Sequence, residues 1–319
     1  MSNKWKFFWI ASFAFVVFFQ ACTWRAWEKV LVSPTDEKKM GREFDSLVRD
    51  KHKDIMSSDE ELFIPNTAAE KELYAFYLAR GKEVVNSINK KEFDALMPSG
   101  KLCRNNPDNR DEMSACTKDN FFEFKIIKSN QLNAFAVPGG YVYFYTEILS
   151  GKKTNKGFKS ESELMSVLGH EVGHVVLHHS RESIVKQAAA AGVIKILLGD
   201  GIGAVLASLG ANFWLLENSR ENESEADVKG FEYTNKLKIS SEGLSDFFAR
   251  GLKIDPVTKK CDIQKNKSIL DVFSTHPPSC ERVNKNRDRM KSAKQNFPKN
   301  KNKSSSGKYF MDLVKAAGI

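Results

Sequence analysis

The sequence lacks the marks of several large protein classes. None of its 5 cysteines forms a C-x-x-C pair, so the usual spacing of a structural zinc ribbon or a dithiol redox site is missing. It has no series of long apolar spans and is not a polytopic membrane protein. No nucleic-acid-binding module is legible, although the formal charge is +9, and nucleic acid is not expected as a partner. Histidine is scarce, with 6 in 319 residues. What remains is a globular chain, 41% hydrophobic and 28% charged, long enough for one large domain or two modest ones.

One segment is membrane-directed. Phe7 to Phe19 carries no charge, follows Lys4 and Lys6, and precedes Cys22. It is short for a spanning helix and suits the apolar region of a signal peptide. Phe19-Gln20-Ala21-Cys22 resembles a bacterial lipobox, with small Ala21 before the cysteine and Phe19 where Leu is usual. Cleavage after Ala21 leaves Cys22 as a lipidated N-terminus, and Thr23 after it favours the outer membrane over the inner. The expected place is therefore the periplasmic side of a bacterial cell envelope, with a lipid anchor as the membrane contact. The rival reading is an uncleaved anchor, Trp5 to Trp27. The other cysteines fall as local pairs, Cys103 with Cys116 and Cys261 with Cys280, and an oxidising periplasm permits both disulfides.

Residues 1–21 are thus a lipoprotein signal peptide, and 22–60 a tether and an N-terminal helix beginning near Asp36. Residues 61–293 form the main domain. Residues 294–319 carry KQNFPKNKNKSSSGK, a basic run without apolar periodicity that predicts a flexible tail. Within the domain, Thr67-Ala68-Ala69-Glu70 has capping-box spacing ahead of a helix with Leu73, Phe76, Tyr77, Val84 and Ile88 at helical intervals. Lys90 to Asn120 reads as a long polar connection stapled by the first cysteine pair. Phe121–Lys128, Asn133–Val137 and Tyr141–Tyr145 read as short strands, with Pro138-Gly139-Gly140 as a turn. Ala188 to Leu216, nearly free of charge, reads as two apolar helices in a hairpin.

Between the strands and that hairpin lies His170-Glu171-Val172-Gly173-His174. On a helix, positions i and i+4 share a face, so two imidazoles can reach one metal ion while Glu171 holds a water beside it. Chance supplies H-E-x-x-H in about one such chain in a hundred. Ser160 and Glu163 have capping-box spacing, and Leu164, Val167 and Leu168 form an apolar stripe behind the metal face. His178 continues the i+4 series but diverges from a tetrahedral centre, which predicts a supporting or surface role. A catalytic zinc site needs a third protein ligand and an open position. The acidic run Arg220 to Asp227 offers Glu221, Glu223 or Glu225, and spacing alone does not choose among them; a solvated acidic face is the plain alternative.

Four stretches together resemble the HtpX/BepA/LoiP-like and CAAX-prenyl-protease-like zinc metallopeptidases, family forty-eight of the metallopeptidases, in their soluble exported branch. They are Asn133–Gly140, Glu163–His174, Ser219–Asp227, and Ser274-Thr275-His276-Pro277-Pro278 with Arg282. The resemblance runs from about Phe121 to Met290. It implies an α+β, mostly helical zincin-type domain with a small sheet beside the H-E-x-x-H helix. It implies one zinc ion per subunit on His170, His174 and Glu223, with Asp227 supporting a ligand histidine. Glu171 is then the catalytic base, and His276 lies over the metal as oxyanion partner or cap, backed by Arg282. Asn133, Ala134 and Phe135 lie in the candidate strand, Asn133 to Val137, for holding an extended substrate by backbone hydrogen bonds; a plain structural strand is the equal alternative from pattern alone. The expected activity is endopeptidase cleavage of polypeptides, misfolded envelope proteins among them by resemblance. The alternative is a latent or capped peptidase acting as a chaperone-like assembly factor.

Overall fold

The structure, a computed structural model, describes residues 32–53, 56–97, 102–106, 109–190, 218–252, 254, 276 and 279–319. The signal segment, Cys22, Cys261 and most of the 188–216 hairpin lie outside the described residues. The first half of the chain gives α1 (Pro34–Arg49), β1 (Glu61–Leu62), α2 (Ala68–Ser87), α3 (Lys90–Leu96), β2 (Leu102–Asn106), β3 (Asn109–Ala115) and α4 (Lys118–Phe121). Then come β4 (Glu123–Lys128), β5 (Ala134–Val137), β6 (Tyr141–Tyr145), α5 (Thr146–Ser150), α6 (Glu161–Val176) and α7 (His179–Ala190). The last elements are α8 (Arg220–Lys236), α9 (Glu242–Leu252), α10 (Cys280–Ser292) and α11 (Phe310–Ala317).

The fold is α+β and mostly helical, with a four-stranded sheet of order β1-β4-β6-β5. β4 and β6 are parallel, with Phe124 opposite Val142, and the outer pairs are antiparallel. Alternation along β6 divides its residues between two cores. Tyr141, Tyr143 and Tyr145 face α1, where Phe44 meets Phe135 and Tyr143 edge-on at 6.0 and 5.5 Å. Val142 and Phe144 face the larger core built by α2, α6 and the later helices. A strand covered on both faces has no polar side to show, which is why β6 reads as a continuous aromatic run.

Three expectations change. The N-terminal helix is part of the packed domain rather than an appendage on a tether. Ser33 and Asp36 close a capping box around Pro34, and buried Lys38 donates to the carbonyls of Phe121 and Gly139 at 2.6 and 2.9 Å. The 90–120 connection is not an unstructured loop: it contains α3, α4 and the β2–β3 hairpin, which the Cys103–Cys116 disulfide crosses. Cys280 is also disulfide-bonded.

The third change is at the C-terminus, where the expected flexible tail is fastened to α6. The fully buried Glu161 carboxylate accepts from Lys301 N, Asn302 N and Asn302 Nδ2 at 2.7, 2.8 and 2.7 Å. In return, Asn300 Oδ1 and Lys299 O accept from the backbone N–H groups of Glu161 and Ser162. These are first-turn donors with no partner inside the helix. The segment ends in α11, whose Phe310, fully buried, stacks on Phe76 at 6.0 Å. Composition registers lysine and asparagine as solvated, whereas the order here comes from backbone bonds to one buried carboxylate. Phe310→Ala should therefore destabilise the protein by about 3–5 kcal/mol, read as a lower denaturant midpoint with an unchanged slope.

Candidate metal centre

The centre is built where α6 and α8 cross with no side chain between them. A Cβ on Gly169 would lie 3.0 Å from Gly230 Cα, and one on Gly230 would lie 3.1 Å from His170 N. A Cβ on Gly173 would meet Lys229 Cβ at 2.9 Å. Glycine at these crossing points lets the two backbones touch, which brings the carboxylates of α8 to the histidines of α6. The start of α6 differs from the expected capping box. Ser160 caps Glu163 N at 3.4 Å, but the Glu163 carboxylate turns to Lys159 N and to Arg250, which holds it by two bonds of 2.6 Å. A guanidinium from α9 has replaced the local partner.

His170, His174 and Glu223 converge on one point. His170 Nε2 and His174 Nε2 are 3.0 Å apart, and they lie 3.4 and 3.3 Å from oxygens of Glu223. Tetrahedral zinc with bonds of about 2.0–2.1 Å has ligand atoms separated by about 3.3 Å, so these distances fit a small tetrahedral cation. All three residues are buried, and with His276 they form a group whose ligand atoms lie within 4.8 Å of one another. Glu221 and Glu225 are outside that group. Glu171 is buried at its edge, and its Oε2 has no hydrogen-bond partner among the described residues. An acceptor sealed in this way next to converging ligand atoms suits a site completed by a cation and a water.

The surrounding charges are arranged to keep the ligands in place. His170 Nδ1 lies 3.0 Å from Asp227 Oδ1. Arg282 grips Asp227 through Nε and Nη2 at 2.8 and 2.7 Å, and reaches Glu223 Oε2 through Nη1 at 2.7 Å. Burial works against charge on Asp227, but Arg282 outweighs it and holds the pKa down at about 2. Burial likewise opposes ionisation of Glu223, yet the charges of His276 and Arg282 pull its pKa well below the carboxylate range. Burial pushes the Glu171 carboxyl upward, the direction that makes it a better proton acceptor. On His170 burial disfavours the cation, and the hydrogen bonds to Asp227 and Glu223 overcome it, raising the pKa to about 9. His174 goes the other way, with burial dominant.

His276 stands over the group. Its Nδ1 is 2.9 Å from Glu223 Oε1 and 3.2 Å from His170 Nε2, and its Nε2 is 3.4 Å from Glu171 Oε1. β5 is the sheet's edge strand and lies against α6. Asn133 O turns inward to accept from Tyr145 N, so by alternation the backbone groups of Ala134 and Ala136 turn to the open edge, where Ser180 Oγ donates to Ala136 O at 3.3 Å. Phe135 points its ring into the α1 core.

Two contacts were not legible in the sequence. His178, with φ 59°, ends α6 in the left-handed region and pairs with Glu37 of α1 at 2.8 Å. His179, one residue on, folds back to His174. The signal available was a fifth residue after His174, beyond any helical face, and helical periodicity gives such a position no direction.

A histidine pair on one helix, a carboxylate from a second helix and an adjacent sealed glutamate form a group that could hold a metal ion. The sequence profile described as Peptidase family M48 matches residues 111–290, just over half of the chain, and the chain belongs to that family. It is 29% identical over 185 residues to Metalloprotease YcaL of Escherichia coli (strain K12), covering 54% of this chain and 63% of the relative. It is 26% identical over 177 residues to Metalloprotease LoiP of the same organism, covering 52% and 62%. A putative beta-barrel assembly-enhancing protease of Vibrio cholerae serotype O1 is 31% identical over 141 residues, covering 40% of this chain and 28% of that protein. The matches span less than two thirds of the length of these relatives.

The depressed pKa of Asp227 has a stability consequence of known sign. A carboxyl titrating at about 2 in the fold and near its ordinary value of 3.8 when unfolded stabilises fully above pH about 4, and the contribution disappears as pH falls through about 2. Its size is about 2 kcal/mol. Denaturant titrations of metal-free protein between pH 5 and 2 should show Asp227→Asn losing that part of the acid slope.

Proposed function

We propose that the chain is a zinc endopeptidase of the bacterial cell envelope that cleaves misfolded or membrane-associated proteins. The observation that carries the catalytic part is the juxtaposition of three converging buried ligands with the unpartnered Oε2 of Glu171. His170, His174 and Glu223 would hold a zinc ion, which would supply Lewis acidity towards the scissile carbonyl and make the attacking water more acidic. Glu171 accepts the proton of the attacking water and passes it to the leaving amine. Arg282 holds Asp227 and Glu223 in register, so that His170 presents Nε2 and keeps its proton on Nδ1. The outer edge of β5 offers the backbone groups of Ala134 to an extended substrate, beside the Ala136 carbonyl that Ser180 holds, so that binding runs through main-chain hydrogen bonds with little side-chain preference.

Envelope location is supported by the lipobox-like Phe19–Cys22 and by disulfide bonding of Cys103, Cys116 and Cys280, because such bonds persist in oxidising compartments. The name of the Vibrio relative, which refers to beta-barrel assembly, supports envelope proteins as the substrate class. A second reading, a latent peptidase with a chaperone-like role, is favoured by one contact. His276 Nδ1 lies among the ligand atoms, where a catalytic metal keeps its open position.

The test is casein cleavage by the full chain in detergent, with zinc quantified. Glu171→Gln should retain zinc and lose at least about 100-fold in turnover; equal loss of zinc would count against the base assignment. In the same assay His276→Ala should raise cleavage if His276 caps the metal and abolish it if His276 holds the oxyanion. Cys22→Ser should release the protein from the membrane fraction, and unchanged membrane retention would remove the lipid anchor.

A further inference from the structure

His179 is buried, and no ligand or catalytic role above uses it. The chain brings it to the metal centre by a local device. α6 is capped at Leu177, His178 takes φ 59°, and α7 begins at His179 in a new direction. His179 Nδ1 then lies 2.9 Å from His174 Nδ1, and His179 Nε2 lies 3.1 Å from Glu225 Oε2.

Proton counting assigns each nitrogen. His174 Nε2 faces Glu223 and His170 Nε2, so this nitrogen gives its lone pair to a metal and the ring proton stays on Nδ1. Two nitrogens at hydrogen-bond distance share one proton. His179 Nδ1 is therefore the acceptor and its own proton lies on Nε2, where the Glu225 carboxylate accepts it. We propose that His179 and Glu225 are a positioning relay that locks His174 as an Nε2 ligand, the counterpart of the direct Asp227–His170 contact. The two supports differ in strength. Asp227 is buried and clamped by Arg282, whereas Glu225 is 38% exposed and acts through a neutral ring. The relay also ties the start of α7 to α8, so the ring plane of His174 depends on both helices.

The relay rests on the metal-binding reading of His170, His174 and Glu223. It is tested on the full chain in detergent by chelator competition for zinc and by the visible absorption of the cobalt(II)-loaded protein. The expected result for His179→Ala is a zinc affinity lower by about 10- to 100-fold and a shifted cobalt spectrum. His179→Gln, whose amide oxygen can accept from His174 Nδ1, should recover most of the affinity and the wild-type spectrum. Glu225→Gln should give an intermediate loss. The melting temperature of each metal-free variant separates a folding defect from a ligand defect; if His179→Ala does not fold, the His179→Gln and Glu225→Gln proteins decide. Zinc affinity in His179→Ala within about twofold of wild type with the same cobalt spectrum would overturn the relay, as would a glutamine variant no better than the alanine one. Wild-type protein that binds no zinc would instead overturn the metal reading beneath it.

Discussion

The crossing of α6 and α8 through bare backbone is the constraint on which the centre depends. Metal ligands on two helices must reach one point, and ligand bonds of about 2 Å tolerate little error. Gly169 and Gly230 let the helices touch, with each missing Cβ facing backbone of the other helix at 3.0–3.1 Å. A methyl group at either position must push the helices apart by a few tenths of an ångström. That displacement would act directly on the separation of Glu223 from His170 and His174. The glycine inside the H-E-x-G-H run, Gly173, meets the same helix. The motif thus encodes the helix crossing as well as the ligand pair.

Around that contact the charges form a closed chain. Arg282 from α10 neutralises Asp227 and Glu223 together, Asp227 meets His170, and Glu225 meets His179, which meets His174. Buried ions are costly unless paired. The pairing here sets a carboxylate or a second imidazole against each of His170 and His174, and a guanidinium against Glu223. Glu171 is the exception, with one carboxylate oxygen left without a partner among the described residues. A proton acceptor must keep a free lone pair, and the unpartnered Oε2 of Glu171 stands where proton transfer is proposed.

The frame that holds α6 is wider than the motif. Its N-terminus is bonded to the C-terminal segment through Glu161, and beyond its C-terminus His178 and Arg181 meet Glu37 of α1. The N-terminal helix Pro34–Arg49 and the C-terminal segment that composition assigned to a flexible tail therefore hold the two ends of α6. Polar composition speaks for solvation only while the backbone lacks a buried partner. Here Glu161 supplies such a partner to the C-terminal segment, and Glu37 pairs with the side chains of His178 and Arg181, from elements distant in sequence that no local pattern contains.

By itself the sequence determined the chemistry that depends on residue type and short spacing: the two histidines at i and i+4, the glutamate between them, the capped helices, and the aromatic strands at Glu123–Lys128 and Tyr141–Tyr145. These follow from helical and strand periods that act within a few residues. The family resemblance added the choice of Glu223 and the interest of His276, which spacing left open. Only the tertiary structure decided what lies between elements. It placed β5 on the open edge, carried α1 into the core, seated the C-terminal segment on α6, and turned His179 back onto His174. Each of these rests on a contact between groups whose separation in sequence carries no period, or on a single left-handed residue that breaks one.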